Sequence, residues 1–545
     1  MSLRSRFCVL IVAAAIVGAL APAAQADPYA ATTPTLTSGA SPFGGCVTPA
    51  GPGPGVNYPG SEVEPYVDVN PVDPDNFIGF YQQDRWSNGA AKSNVASFTK
   101  DGGTTWTQVV VPVGTICSGS GDFERATDPW VSFGPTGRAH AMSLVTDSDP
   151  VTSGGFGDNG MTYNRSKDGG QTWEPPIYLK VDTDPRFLND KNAITADPND
   201  ADYVYAVWDR LSTPRGEVVA APPGRENIFG LGFRGPAWFA RTTNGGDTFE
   251  PARIIYDPKG ANNQTIGNQI AVLPASEGGD VLNFFNEIVN FRNAEGGAQF
   301  EFNLSLIRST DKGATWSRNA TRITKFYPMD RVREDGVIDS EPVACPDPGD
   351  TGACPIRTGD ILFDVAVNRD DGALYAVVQD ARFSGFRYDT IALTRSTDGG
   401  ATWSPLVRIN PGSDAGARPD DRQAFTPAVH VGDDGTVTVT FYDFRNNSAA
   451  DGILATDQWA VHCHASSEDC SQPASWDEET RVTPASFDMR QAPFARGYFT
   501  GDYEGLSFSR SDGDPTGPTT DVFVSYFSQP HGGDPSSAFS SLLTP

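Results

Sequence analysis

Apolar and polar positions alternate in short runs along most of the chain. Typical runs are NFIGFYQQDRW (76–86), YVYAVWDR (203–210) and TVTVTFYDFR (436–445). They are rich in β-branched and aromatic residues, and turns of Asp, Asn, Pro and Gly separate them, which predicts β-strands. Long runs with helical periodicity are absent from the sequence. The pattern therefore predicts an all-β protein.

The runs come in consecutive units, each with two strand-like segments. We count seven first-strand segments, which begin at EPYVDVNP, TDPWVSFGP, KNAITADPND, NQIAVLPA, ILFDVAVNRDD, FTPAVHVGDDG and YFTGDYEGLSFSRSDG. Recurrence of this kind is typical of repeat architectures.

A short turn motif follows five of the units. Its copies are TKDGGTTW (99–106), SKDGGQTW (166–173), TTNGGDTF (242–249), STDKGATW (309–316) and STDGGATW (396–403). The Asp or Asn side chain can accept bonds from backbone N–H groups, and a glycine two residues later permits positive φ. The aromatic residue can pack beneath the turn. The motif, hereafter the repeated turn, thus predicts a locked hairpin and offers no nucleophile.

The pattern S/T-x-D-x-G-x-T-W resembles the Asp box, or BNR repeat, of the sialidase-like β-propellers. This resemblance implies four-stranded antiparallel blades, with the box between the third and fourth strands on the face away from the active site. Seven first-strand segments favour seven blades. Six, the number in enzymatic sialidases, is the alternative if the last segment completes the first blade.

Within this fold we assign residues 62–530 to the propeller. Residues 27–61 form an N-terminal arm, either flexible or a closing strand, and residues 531–545 form a C-terminal tail. Residues 1–26 have the basic start, apolar run and Ala-Gln-Ala end of a secretion signal peptide, so we expect a secreted, extracellular protein. The net charge of -28 argues against nucleic acid or an anionic membrane as partner. We expect a monomer that acts on an extracellular glycan or glycoprotein.

Beyond the signal peptide the chain has six cysteines, which suggest disulfides in an exported protein. Cys345 with Cys354 and Cys463 with Cys470 would each close a local loop, and Cys46 with Cys117 would tie the arm to the body. Zinc is disfavoured because there is no CxxC motif and His462 and His464 stand alone around Cys463. We expect no metal in the functional site and no cofactor, with a structural calcium ion as an open alternative.

Candidate site residues lie where second strands end, at recurring acid and arginine positions. The resemblance implies arginines that hold a substrate carboxylate, an Asp as acid/base, and a Tyr assisted by a Glu as nucleophile. The candidate binding residues are Arg85, Arg210, Arg382, Arg445 and Glu287. The candidate catalytic residues are Asp209, Asp380, Asp443, Tyr503 and Glu504. A pair repeated in four blades is also explained by structural salt bridges between blades.

These observations favour a secreted glycoside hydrolase of the sialidase-like superfamily acting on an acidic glycan. The alternative is a non-catalytic propeller that binds a glycan or a protein. The Phe/Tyr-Arg-Ile-Pro motif that carries the family's first arginine is absent, and PIRTGD (355–360) does not match it. Whether the protein is an enzyme therefore stays open at this level.

Overall fold

The computed structural model describes residues 29–50, 55–147, 156–212, 234–260, 262–292, 298–328, 356–418, 420–448, 450, 452–495, 497–510 and 521–544. The predicted signal peptide and the predicted Cys345–Cys354 disulfide lie outside these residues. In the described part, regular structure is β-strand apart from short 3-10 turns, and no helix there is long and apolar enough to span a membrane. The 3-10 turns are Ala275–Glu277, Ala381–Ser384, Pro411–Ala415, Asp420–Arg422, Pro473–Ser475 and Met489–Gln491.

The strands form six antiparallel sheets, which follow one another along the chain. The eight-stranded sheet joins two four-stranded groups only through the pair Ala91 and Ala126, so we describe seven groups. In the first, β3 to β6 are Glu62–Val69, Phe77–Arg85, Ala91–Thr99 and Thr107–Val110. In the second, β7 to β10 are Arg125–Phe133, Ala139–Thr146, Asn159–Ser166 and Ile177–Asp182. In the third, β11 to β14 are Phe187–Ala196, Val204–Ser212, Ala237–Thr242 and Arg253–Tyr256. In the fourth, β15 to β18 are Gln264–Val272, Val281–Arg292, Ala298–Ser309 and Thr321–Phe326.

Three further groups complete the chain. In the fifth, β19 to β22 are Phe363–Val367, Leu374–Asp380, Thr390–Ser396 and Val407–Arg408. In the sixth, β23 to β27 are Ala424–Val431, Thr436–Asp443, Ala455–His464, Thr480–Arg481 and Phe487–Asp488. The seventh contains β28 to β30, Gly505–Arg510, Asp521–His531 and Asp534–Thr544, together with β1 and β2, Ala30–Ala31 and Thr35–Leu36.

The first strand of each group contacts the first strand of the next, and β28 contacts β3. These contacts close the chain into a circle around a central channel. The all-β propeller prediction is confirmed by this antiparallel order and closure. Seven groups would correspond to seven blades, and this blade number remains our interpretation of the strand order.

Both ends of the chain belong to the last group. Ala30 and Ala31 pair with Thr544 and Leu543, and Thr35 pairs with Ser540. The N-terminal arm therefore supplies the closing strands, one of the two alternatives from the sequence. The prediction that residues 531–545 form a tail is wrong, because β30 pairs with β29 along most of its length. Its run AFSSLL alternates too weakly to be recognised as a strand without its neighbours.

Neighbouring groups are joined where one first strand meets the next. Asp68 in β3 accepts a 2.6 Å hydrogen bond from the backbone N–H of Phe133 in β7. Asp364 in β19 accepts a 2.8 Å bond from Val429 N in β23. These side chains pair backbone groups that the sheets leave open beside the channel, where an unpaired buried N–H would be costly.

The repeated turns have the structure that their residues predict. In the fifth copy, Asp398 accepts hydrogen bonds from Thr402 N (2.8 Å), Thr402 Oγ1 (2.6 Å) and Ser396 Oγ (2.8 Å). Trp403 donates from its indole N–H to Gly400 O at 3.2 Å and packs on the apolar core between the fourth and fifth groups. Each turn thus caps the end of a third strand, and its aromatic side chain joins two groups.

Two disulfides are present in the described residues. Cys46–Cys117 joins the N-terminal arm to the first group across 71 residues of sequence. Cys463–Cys470 closes a loop of separation 7 after β25. Both pairings match the sequence prediction.

Candidate functional site

The first strands share a distortion at one level of the channel. The backbone adopts the left-handed region at Glu64 (φ 53°), Asp128 (φ 49°), Lys191 (φ 42°), Gly267 (φ 68°) and Thr426 (φ 51°). At each of these positions the pairing register with the second strand shifts. A bulge of this kind re-aims side chains, and positive φ is costly for residues other than glycine. Five such bulges at one end of the channel mark that end as the candidate functional site.

A cavity opens at this end, hereafter the channel mouth. The empty space between its lining atoms is about 530 Å³, part of it open to solvent. Three aromatic rings form one wall: Tyr66 and Trp130 stack with ring centroids 3.8 Å apart, and Tyr503 lies 5.2 Å from Trp130. Aromatic walls with a few polar groups are typical of small-ligand sites.

Two cations and three carboxylates meet beside the aromatic wall. Lys191 Nζ lies 2.6 Å from Asp502 Oδ2, 3.3 Å from Glu64 Oε1 and 3.8 Å from Asp128 Oδ2. Arg357 donates from Nε to Asp502 Oδ1 at 2.8 Å and from Nη2 to Asp502 Oδ2. Asp502 is therefore held by both cations.

The carboxyl groups of the mouth differ in protonation. Burial alone would raise the pKa of Asp502, but Arg357 and Lys191 hold it well below its ordinary value. Burial raises the pKa of Glu64 to about 7 in spite of the attraction of Lys191. Asp502 therefore favours its ionised form, whereas Glu64 keeps its proton to a higher pH than an exposed glutamate does.

Two more carboxyl groups belong to the cavity wall. Burial raises the pKa of Asp364 to about 7, although the backbone N–H groups of Val429 and Val365 donate to it. Burial raises the pKa of Glu504 to about 8, although it accepts bonds from Thr440 (2.7 Å) and Gln458 (2.8 Å). The cavity therefore contains two carboxyl groups with raised pKa values, Asp364 and Glu504, and one with a lowered pKa, Asp502. Acid and base roles in catalysis need carboxyl groups that differ in this way.

Of the predicted site residues, Tyr503 and Glu504 line the cavity. Their polar ends bond to different groups: Tyr503 donates to Pro129 O at 2.9 Å, while Glu504 accepts from the sixth group. Burial also raises the pKa of Tyr503 well above its ordinary value, so the phenol is held neutral. The structure brings these two residues to one cavity without joining them as a nucleophile pair.

Asp209 and Arg210 separate, although they are adjacent in sequence. Asp209 accepts hydrogen bonds from Thr265 Oγ1 (2.8 Å) and Gly267 N (2.9 Å) in the fourth group. Arg210 pairs instead with Asp182 at 2.5 Å. Asp209 thus connects two neighbouring groups and holds the bulge at Gly267.

Two predicted pairs are ion pairs within themselves. Arg382 lies 2.8 Å from Asp380, and Arg445 lies 2.6 Å from Asp443. Arg445 also pairs with Glu479 and stacks 3.8 Å above the Trp459 ring.

The remaining candidates are engaged elsewhere. Arg85 donates to Gln82 Oε1 at 2.6 Å, and Glu287 accepts from Tyr256 OH at 2.7 Å and pairs with Arg322 at 3.2 Å. None of the second-strand candidates is among the residues that line the cavity. They lie at the same end of the channel as the mouth, but on second strands, which are one strand further from the channel axis. For example, Asp209 in β12 pairs with Asp190 in β11. Their role in binding or catalysis stays a prediction.

The sequence did not point to Lys191, Asp364 and Asp502, which line the cavity. It also did not point to Glu64, Asp128 and Arg357, which contact Lys191 or Asp502. A signal was present in the repeated acid-proline or threonine-proline step of VEPYV, TDPWV and FTPAV. Proline cannot continue the ladder, so this step marks a bulge when it recurs in first strands. Arg357 lies within PIRTGD, the stretch that failed to match the family motif.

No family model and no curated protein sequence matches the chain. Among solved structures it is similar to a Hadza microbial sialidase, Hz136 (16% identity, 71% of this chain, 64% of that chain, TM-score 0.40). It is also similar to the Penicillium chrysogenum α-L-arabinanase (10% identity, 94% and 98%, TM-score 0.42). A third similar structure is the leech intramolecular trans-sialidase (13% identity, 93% and 70%, TM-score 0.38).

Proposed function

We propose that the protein is a secreted glycoside hydrolase that acts at the channel mouth on an extracellular glycan. The single observation that carries the proposal is the contrast between Asp364 and Asp502 in one cavity. Burial raises the pKa of Asp364 to about 7, and two cations keep Asp502 ionised. Glycoside hydrolysis requires a proton donor and an ionised carboxylate beside the same bond.

Asp364 is the proposed general acid. It is half-buried, it lines the cavity, and its described hydrogen bonds come from backbone N–H groups that leave the carboxyl proton available to a leaving oxygen. Asp502 is the proposed ionised carboxylate, which would stabilise positive charge at the anomeric carbon. The Tyr66, Trp130 and Tyr503 wall would pack against the apolar face of a sugar ring.

The acidic nature of the glycan remains a prediction. It rested on a ring of arginines, and in the structure those arginines pair with carboxylates or amides within their own region. Lys191 lines the cavity, and Arg357 pairs with Asp502, which also lines it. We therefore propose that any substrate carboxylate would approach these two residues.

The test is hydrolysis of fluorogenic glycosides: an α-sialoside, an arabinoside, a xyloside and a glucuronide, with polymeric arabinan as an endo substrate. We expect turnover of at least one of them, and Asp364→Asn to lower kcat at least about 100-fold, because general acid catalysis contributes that much. Asp398→Asn, in a repeated turn, is the matched control and should retain full activity. Turnover unchanged in Asp364→Asn would place the chemistry elsewhere.

The second candidate is a non-catalytic binding propeller. It is favoured by the extent to which the mouth carboxylates are already paired with Lys191 and Arg357. If none of these substrates is hydrolysed, and the protein binds a glycan with an affinity that Tyr503→Ala weakens, this alternative would be established.

A further inference from the structure

The sixth group has a disulfide-closed loop in place of the repeated turn. Strand β25 ends at His464, and the loop that follows is closed by Cys463–Cys470 and by Trp476, whose indole N–H donates to Cys470 O at 3.1 Å. The backbone N–H of Asp477 then donates to His462 O at 3.0 Å. In the second group, Glu174 N donates to Arg165 O in the same way at 2.8 Å.

This equivalence aligns two sets of side chains. In the second group Arg165 and Lys167 pair with Glu174 at 2.7 and 2.6 Å. His462, His464 and Asp477 occupy the corresponding positions in the sixth group. Guanidinium and ammonium groups can only donate, whereas an imidazole nitrogen has a lone pair that can coordinate a metal ion. The substitution turns an ion-pair set into a metal-ligand set.

The geometry fits a small divalent ion. Three possible ligand atoms, one from each of His462, His464 and Asp477, lie within 4.8 Å of one another. Of these residues, His462 Nε2 is 3.0 Å from Asp477 Oδ2. Zinc bonds of about 2.0 Å place two ligands of a tetrahedral ion roughly 3.3 Å apart. Little movement of the side chains is therefore needed to bind the ion.

A second observation comes from His462 itself. Its side chain is fully buried, yet among the described residues Nδ1 has no hydrogen-bond partner and Nε2 has only the 3.0 Å contact with Asp477 Oδ2, whose geometry is not that of a hydrogen bond. Buried polar atoms almost always have one, so these nitrogens call for an explanation. The neighbouring His464 places Nδ1 2.9 Å from Thr436 Oγ1, so Nε2 is the ring nitrogen that this contact leaves available to a metal ion. An outer partner of this kind is typical of metal-binding histidines.

We propose that His462, His464 and Asp477 bind a zinc ion that holds the sixth group where the repeated turn is missing. Its effect extends to the N-terminal closing strands. The Tyr29 ring lies 4.1 Å from the His462 ring, and Tyr29 O accepts a 3.0 Å bond from Thr480. Zinc thus stabilises both the loop after β25 and the segment that completes the seventh group. In the sequence the two histidines stand alone, because Asp477 becomes their neighbour only after the loop folds back.

The test uses the full chain, purified without a histidine tag and treated with EDTA. Titration with ZnCl2 in a calorimeter should show one equivalent bound, and zinc should raise Tm. The variants His464→Gln and Asp477→Asn should each lose at least about tenfold in zinc affinity. Both lie at half-buried positions, where an amide of similar shape can be accommodated.

His531→Asn is the matched control, since His531 is exposed and distant in sequence from the cluster. It should bind zinc as the wild type does. Absence of zinc binding by the wild type, or equal binding by wild type and His464→Gln, would overturn the proposal. The cluster in the sixth group would then be only an ion pair, the counterpart of the Arg165–Glu174 pair in the second group.

Discussion

Lys191 in the third group donates a 2.6 Å hydrogen bond to Asp502, which lies 311 residues later in the chain. The bond crosses the channel mouth and joins the bulge of β11 to the segment that leads into β28. Burial alone would lower the pKa of Lys191, but Asp128, Asp502 and Glu64 raise it well above its ordinary value. This contact therefore determines the charge of the mouth and contributes to ring closure.

Replacement of this lysine should be strongly destabilising. Lys191→Met leaves buried carboxylates without their central cation, and breaking a buried pair in this way costs about 3–5 kcal/mol. Urea unfolding followed by tryptophan fluorescence measures the loss. Lys100→Met is the control, because the Lys100 side chain is 39% exposed and 3.5 Å from an exposed Asp73. An equal effect of both variants would contradict the structural role of Lys191.

Thermal stability should fall as pH rises from about 4 to about 8. Burial raises the pKa of Asp364 to about 7 and the pKa values of Glu62 and Glu504 to about 8. In this window the folded state holds protons that the unfolded state has released, so unfolding becomes more favourable with increasing pH. Calorimetric Tm values across the range measure the slope.

A single variant isolates one of these groups. Glu504→Gln cannot titrate, so its Tm should depend less on pH than that of the wild type between about 4 and 8. A slope identical to that of the wild type would show that Glu504 is ionised in the folded protein.

The repeated turns should affect stability and not activity. Asp398→Ala removes three accepted hydrogen bonds and should cost about 1 kcal/mol, as loss of a side-chain cap does. Asp398→Asn should cost less, because Asn244 makes the corresponding bonds to Thr248 N (3.0 Å) and Thr242 Oγ1 (2.8 Å) in the third turn. Chemical unfolding of both variants tests the order, and a greater loss in the asparagine variant would refute it.

The same aspartate has a pH dependence of opposite sign. Hydrogen bonds from the side chain and backbone of Thr402 lower the pKa of Asp398 to about 2. Its contribution is complete above about pH 4 and is lost as pH falls through about 2. The difference in stability between wild type and Asp398→Asn should therefore be larger at pH 6 than at pH 2.

The two disulfides should contribute unequally. The entropy model of cross-linking predicts about 4 kcal/mol for Cys46–Cys117 and about 2 kcal/mol for Cys463–Cys470, because the first closes the longer loop. Double serine variants of each pair, unfolded in guanidinium, measure the two contributions. A greater loss without Cys463–Cys470 would indicate that its role is to hold the zinc ligands rather than to restrain the unfolded chain.

The sequence alone determined the features that depend on neighbouring residues. Alternating apolar runs indicated the strands, and the repeated turns indicated capped hairpins, since Asp398 and Thr402 are close in sequence and bond to each other. Recurrence of these units indicated a repeat architecture, and the resemblance of the repeated turn to the Asp box indicated the propeller. Cysteine number and spacing were sufficient for the two described disulfides.

Only the tertiary structure decided which side chains share the channel mouth. Lys191, Arg357 and Asp502 come from distant units, and closure of the ring brings them together. Second-strand acids such as Asp209 lie one strand away from the axis, a difference in radius that no linear pattern encodes. The same reason hid the zinc ligands, because Asp477 reaches His462 only through the loop that follows β25.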